Sequence, residues 1–125
     1  MTELLYKELS YRLGGLIFQV DNLIGYGQTE KIYGDALEEL LKKEKIVYQR
    51  EVYFPIKIEG KLIKKAFFDF LIEDKIIVEL KTSDKNYKNV CGQIFKYLKT
   101  SDKKLGLVYR ISKDGVKTKR IPNYY

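Results

Sequence analysis

The stretch from Tyr87 to Thr100 constrains the fold of this chain more than any other. Its apolar residues Tyr87, Val90, Cys91, Ile94, Phe95 and Leu98 recur at three- and four-residue steps, which predicts a helix with these side chains inward. A short apolar run of strand character precedes it at Ile76 to Leu80, and another follows at Leu105 to Ile111. Strand, helix and strand in that order make a crossover long enough to set the two strands parallel.

The remaining segments supply the rest of a covered sheet. Leu4, Leu5, Leu9, Leu13, Leu16, Ile17, Val20 and Leu23 predict a first amphipathic helix from Glu3 to Leu23, with Gly14 and Gly15 in its middle and Gly25-Tyr26-Gly27 breaking it. A second helix is expected from about Thr29 to Glu44, with Ile32, Tyr33, Ala36, Leu37, Leu40 and Leu41 on one side. Its polar face carries Lys31, Asp35, Glu38, Lys42 and Lys43.

From Val47 the period switches to two. Val47 to Ile58, a turn at Glu59-Gly60, and Leu62 to Ile72 read as a hairpin, in which Pro55 points to an edge position or a bulge. The strand Ile76 to Leu80 follows after Glu73-Asp74-Lys75, and a last pair, Leu105 to Ile111 and Val116 to Ile121, flanks Lys113-Asp114-Gly115. The order α-α-β-β-β-α-β-β in 125 residues, without linker or repeat, implies a single α/β domain with a mixed sheet flanked by helices.

Composition narrows the chemistry. With no histidine, the chain holds no Ser-His-Asp triad, histidine general base or histidine-ligated zinc site, so catalysis must run on carboxylates, lysines and tyrosines. The lone Cys91 forms no internal disulfide, and Met1-Thr2-Glu3-Leu4-Leu5 lacks the features of a signal peptide. A mean hydropathy of -0.33 with 33% charged residues does not suit a membrane span. A cytoplasmic protein with no membrane association is expected.

The net charge is +7, and it is unevenly spread. Up to Leu80 acids outnumber bases by two, whereas from Lys81 onward the chain has 12 basic and 3 acidic residues. Such a field suits a polyanion such as nucleic acid, though a solvated lysine-rich surface would give the same count.

Two carboxylates stand out against this background. If Asp74 is the centre of the turn, Ile72 pairs with Ile76 and Asp69 with Glu79. Opposed cross-strand side chains lie roughly 4.5–5.5 Å apart at Cβ, and like charges so placed are destabilising unless compensated. Asp69 interrupts Ala66-Phe67-Phe68-Asp69-Phe70-Leu71-Ile72, and Glu79 interrupts Ile76-Ile77-Val78-Glu79-Leu80. Ionised acids in apolar runs of a covered sheet call for a cation. Period two adds Lys81 to the face of Glu79. Asp, Glu and Lys together suit hydrolysis assisted by a hard metal, with a structural ion pair as the alternative reading.

An acid in one strand and E-x-K in the next, after a short turn, resemble the PD-(D/E)XK nuclease superfamily. Within it, Gly27-Gln28-Thr29-Glu30-Lys31-Ile32-Tyr33 resembles the G-x-x-E-x-x-Y signature of the GxxExxY family, and Gln93-Ile94-Phe95-Lys96-Tyr97 resembles the superfamily's Q-x-x-x-Y helix. The resemblance implies a restriction-endonuclease-like fold and a Mg²⁺- or Mn²⁺-dependent nuclease acting on DNA before RNA. It implies that Asp69, Glu79 and the Leu80 carbonyl bind metal, that Glu30 completes the acidic shell, and that Lys81 positions or activates water. Gln93 and Tyr97 would approach the site and the nucleic-acid backbone, while Tyr33 would hold the second helix against the sheet.

Several of these residues have an ordinary structural explanation when taken alone. Glu30 suits a helix N-terminus, Gly27 a left-handed turn, and Gln93 and Tyr97 the boundary of an amphipathic helix. Lys85 and Lys88 after the third strand are solvated loop residues or phosphate contacts. A catalytically silent nucleic-acid-binding or assembly module is the competing function, and an adaptor for an acidic protein a third. So small a core would need a second copy or a partner protein for sequence specificity, with the tail Tyr124-Tyr125 among the candidate contacts.

Overall fold

The computed structural model describes residues 5–123. They form α1 (Lys7–Ile24), α2 (Glu30–Lys43), β1 (Tyr48–Ile58), β2 (Lys61–Ile72), β3 (Ile76–Lys81), α3 (Tyr87–Ser101), β4 (Leu105–Ser112) and β5 (Gly115–Pro122). This is the expected order of elements. Tyr6, in left-handed backbone at φ 51, stands just before α1, so the helix opens at Lys7 and leaves Leu5 outside. Leu4 and the Tyr124-Tyr125 tail lie outside the described residues.

The strands lie in the order β1-β2-β3-β4-β5. β3 and β4 run parallel across the α3 crossover, and the other neighbours are antiparallel, giving a mixed α/β sheet. β1 is an edge strand, which accommodates Pro55 and its missing N–H.

Helices cover both faces. On one, Leu13, Ile17, Tyr33 and Leu37 of α1 and α2 pack with Phe70, Ile72, Val78 and Leu107. On the other, Ile94, Tyr97 and Leu98 of α3 pack with Phe68, Leu71, Ile77 and Val108. Gly106 lets α3 approach closely, because a Cβ there would lie 2.3 Å from Ile94 Cγ2.

Three residues expected inward are turned out: Leu23 is 76% exposed, Ile32 41% and Phe95 39%. Ile32 and Phe95 lie one position off the stripe that the sheet covers, whereas Leu23 continues the row of Leu16 and Val20 beyond the last buried residue of α1. The buried stripes are Leu13-Leu16-Ile17-Val20, Tyr33-Leu37-Leu41 and Ile94-Tyr97-Leu98, and neighbours along a helix are turned by roughly 100°. Among the described residues no helix is long and apolar enough to cross a membrane.

The hairpin departs from simple alternation at two places, a register shift between Ile56 and Lys57 near its tip and a reversal of faces nearer its base. Tyr48, Phe70 and Ile72 belong to the core under α1 and α2, whereas Val52, Phe54 and Phe68 belong to the core under α3. In a regular strand residues two apart share a face, so β1 and β2 both reverse faces between these groups. The reversal falls at Glu51 and Asp69, the one opposed position missing from the ladder between Arg50↔Phe70 and Val52↔Phe68. Glu51 carries the strain, with φ 58.

Candidate active site

The face reversal delivers Asp69 to the edge of β3. The regular β2–β3 ladder runs from Ile72↔Ile76 to Phe70↔Val78, in the register expected, and stops there. Asp69 and Glu79 come next, and side chains take over from backbone pairing. The Asp69 N–H donates to Glu79 Oε1 at 2.6 Å, and the Leu80 N–H donates to Asp69 Oδ2 at 2.7 Å. The expectation that the two acids meet as an ordinary ladder pair is therefore corrected. Each carboxylate binds the backbone of the opposite strand through one oxygen, and the ladder gives way to these bonds.

Burial sets the electrostatics of the pair. It is the main cause holding the Glu79 carboxyl up at about 8, with the nearby Asp69 charge adding to it. Asp69 is also raised, first by burial and further by Glu30, against the lowering effect of the Leu80 N–H. A folded chain without a cation thus strains to hold both acids ionised.

Glu30 enters from the first turn of α2. Thr29 caps that helix by accepting from the Ile32 N–H at 3.3 Å. The loop before it is fixed by Tyr33, which is fully buried and whose hydroxyl donates to the Gly25 carbonyl at 2.7 Å and accepts from the Gln28 N–H at 3.2 Å. Gly27 sits in this loop at φ 97, a backbone that favours glycine. The G-x-x-E-x-x-Y spacing thus has a direct mechanical meaning, with Gly27 allowing the turn and Tyr33 clamping it so that Glu30 points at the end of β3. Its Oε2 accepts from the Thr82 N–H at 3.3 Å and lies 3.9 Å from Lys81 Nζ. The Lys81 side chain is only 14% exposed.

An arginine that the sequence reading missed completes the surroundings. Arg50 Nη1 donates to Asp35 Oδ1 at 2.7 Å and to Glu38 Oε1 at 2.9 Å, and the guanidinium lies over the Phe70 ring, 5.4 Å from its centre. Gly34 makes room for it, since a Cβ there would be 2.6 Å from Nη2. Its positive charge acts on Asp69 as well, favouring the ionised acid. Arg50, Glu51, Glu30 and Asp69 line one cleft of about 390 Å³ between α2 and the hairpin. The one sequence signal near it is the pair of acids Asp35 and Glu38, spaced along one helix face and in want of a cation.

The other candidates are more dispersed. Tyr97 is buried and packs edge-on against Phe54 and Phe68, at 5.3 and 5.2 Å between ring centres. Gln93 is half-buried four residues before it on α3, and among the described residues no hydrogen bond links either to the acids. Lys85 and Lys88 are exposed beyond β3.

The donor set fits a small hard cation. Asp69 Oδ1 and Glu79 Oε2 are not used in the two bonds described, and like charges raised by burial are what a divalent ion would relieve. Among the described residues no group of three or more potential Asp, Glu, Cys or His ligands is gathered for a metal. Magnesium is commonly held by one or two carboxylates with water and substrate phosphate making up the rest, so two acids suffice.

The model of the PD-(D/E)XK nuclease superfamily matches residues 7–121. No curated protein matches the sequence. Among solved structures, that titled "Crystal structure of SSO0001" is 24% identical with a TM-score of 0.55, and the match covers 94% of this chain and 59% of that one. This chain therefore spans less than two thirds of that relative, and the likeness is one of fold. The alkaline exonuclease LHK-Exo from Laribacter hongkongensis is 14% identical with a TM-score of 0.45, over 98% of this chain and 72% of that one.

Proposed function

The chain belongs to the PD-(D/E)XK nuclease superfamily, and on that premise we propose that it hydrolyses phosphodiester bonds of DNA, in preference to RNA, with Mg²⁺ or Mn²⁺ as cofactor. The observation that carries this reading is the interlocked pair of Asp69 and Glu79, with Glu30 and Lys81 close by and Glu30 and Asp69 lining one cleft. The spacing Gly27, Glu30 and Tyr33 supports the finer placement in the GxxExxY family.

Asp69, Glu79 and the Leu80 carbonyl would hold the cation, with Glu30 acting at longer range. Bound there, it would supply Lewis-acid stabilisation of the charge that grows on the phosphate. The protein's own groups do the rest. Lys81, kept in place by Glu30, orients the attacking water and holds negative charge on a non-bridging oxygen. Glu30 accepts a hydrogen bond from that water or from the lysine. Water adds to phosphorus as one of its protons leaves through these groups to solvent, the opposite P–O bond breaks, and the departing oxygen takes a proton from solvent to leave as a hydroxyl. Basic residues beyond β3, Lys85 and Lys88 among them, hold the flanking phosphates by charge. Gln93, half-buried on α3, would serve as a contact to the nucleic-acid backbone.

Linear, circular and single-stranded DNA, with RNA in parallel, should be offered with Mg²⁺, Mn²⁺ or EDTA. Glu79→Ala and Lys81→Ala proteins, checked for folding by circular dichroism, run beside the wild type. Metal-dependent cutting lost in both variants is the expected result. Equal inactivity of wild type and variants, with nucleic-acid binding retained, would instead assign a binding or assembly role to the fold.

A further inference from the structure

The outer half of the β1–β2 hairpin leaves the body of the sheet. β1 and β2 stay paired as far as Ile58↔Lys61, but β3 pairs with β2 only from Phe70 to Ile72. Residues 52–68 therefore form a two-stranded arm with no further strand beside it. One side of its base is anchored, where Val52, Phe54 and Phe68 pack under α3.

The other side is bare and aromatic. Tyr53 and Phe67 are opposed across the ladder with ring centres 5.3 Å apart, yet they remain 48% and 57% exposed. Because the strands reverse faces at Glu51 and Asp69, these rings point to the α2 side, the side on which the cleft of Glu30, Arg50 and Asp69 opens. Phe67 is two residues from Asp69, a distance of about 7 Å along a strand. Without the reversal the same rings would face α3.

Charge decides what such a surface fits. The arm carries Lys57, Lys61, Lys64 and Lys65, all exposed, against Glu59 alone. None of the four lysines forms an ion pair with an acid among the described residues. Two copies of this arm would repel each other, whereas a phosphate backbone would be attracted. Period two puts Lys65 on the face of Phe67. An aromatic platform flanked by lysines is the combination that takes up single strands, with stacking on bases and charge on the backbone.

We propose that the Tyr53–Phe67 face of the β1–β2 arm is a binding site for unpaired nucleotides, which stacks a base beside the cleft that Asp69 lines. This deepens the nuclease reading and rests on it. The arm selects substrates with an unpaired segment at the cleavage position, because a paired base offers no free face to the rings.

Fluorescence anisotropy of a short labelled single strand, and of the duplex of the same sequence, tests the assignment in EDTA. Tyr53→Leu/Phe67→Leu keeps apolar area on the arm while removing the rings, and Lys61→Ala/Lys64→Ala/Lys65→Ala removes charge. The leucine variant should bind the single strand roughly 5- to 100-fold more weakly with an unchanged salt slope, and the duplex nearly as well as wild type. The lysine variant should lower the slope of log affinity against log salt by about 2. A folded leucine variant that binds the single strand like wild type overturns the proposal, as does an equal loss on both substrates. So does a wild-type dimer, seen by sedimentation, that the leucine variant dissolves. If wild type cuts and binds while only these variants fail to differ from it, the arm assignment alone falls. If wild type neither binds nor cuts, the nuclease reading falls and this inference with it.

Discussion

The Glu79 carboxyl makes stability fall with rising pH, and that is a sharp test of the site. In the folded chain burial and the neighbouring Asp69 hold its proton up to about 8, against 4.5 for the ordinary side chain. The folded state therefore binds more protons than the unfolded state between those values, and stability declines as pH rises across them. The contribution is complete below about pH 4.5 and is lost through about pH 8. With about 1.4 kcal/mol for each pH unit as the ceiling, the loss is on the order of a few kcal/mol. Asp69 is raised as well and acts in the same direction. Asp35 and Glu38 are lowered, chiefly by their bonds to Lys31 and Tyr48 and also by Arg50, so their effect is confined to acid conditions below this window. Urea denaturation in EDTA from pH 5 to 8.5 reads the slope directly. Glu79→Gln keeps an acceptor for the Asp69 N–H and removes the titration, so it should flatten most of the dependence and be more stable than wild type at pH 8.5. Added Mg²⁺ should stabilise wild type more at pH 8.5 than at pH 5. A wild-type stability that is level or rises over this range, or a glutamine variant that keeps the full slope, refutes the reasoning.

Other perturbations isolate single contacts. Gly34→Ala should destabilise by about 1–3 kcal/mol in urea, because the new Cβ would meet Arg50 Nη2 at 2.6 Å. In an Arg50→Ala background the same change should stabilise, by up to about 1 kcal/mol, as helix propensity is then unopposed. Gly106→Ala should lower the melting temperature through its 2.3 Å approach to Ile94 Cγ2, and Ile94→Ala should recover part of the loss in the double variant. Tyr33→Phe removes the bonds to Gly25 and Gln28 and should cost about 1–2 kcal/mol. Faster hydrogen exchange of the Gln28 amide is its accompanying signature.

Most of the framework was legible because it rests on local periodicity. The α3 crossover, the parallel β3–β4 pair and the register Ile72↔Ile76 all follow from apolar spacing and turn length. The outward Leu23, Ile32 and Phe95 were misplaced because periodicity identifies an apolar stripe without fixing where the sheet ends its cover. Glu30 and Tyr33 are singled out by motif spacing and Lys81 by period two, and the motif spacing has the physical content of a clamped loop at a helix start that brings Glu30 near Lys81. Arg50 escaped because its partners Asp35 and Glu38 come from another element, and a cross-element ion pair leaves no periodic trace.

The least legible feature has the largest effect on the site. Continuous alternation through Val47 to Ile58 and Leu62 to Ile72 gives a plain hairpin with each strand keeping one face. The fold instead reverses both strands at Glu51 and Asp69, with a positive φ at a glutamate, where a side chain raises the energy of the backbone. No residue type marks such a place in advance, since glycine would have been the easy choice. The reversal frees the Asp69 N–H to reach Glu79, opens the Leu80 N–H to Asp69, and turns the Tyr53 and Phe67 rings toward the cleft rather than into α3. Acid pair and exposed aromatic face are thus two consequences of one backbone irregularity, which gives that irregularity a reason to persist despite its strain.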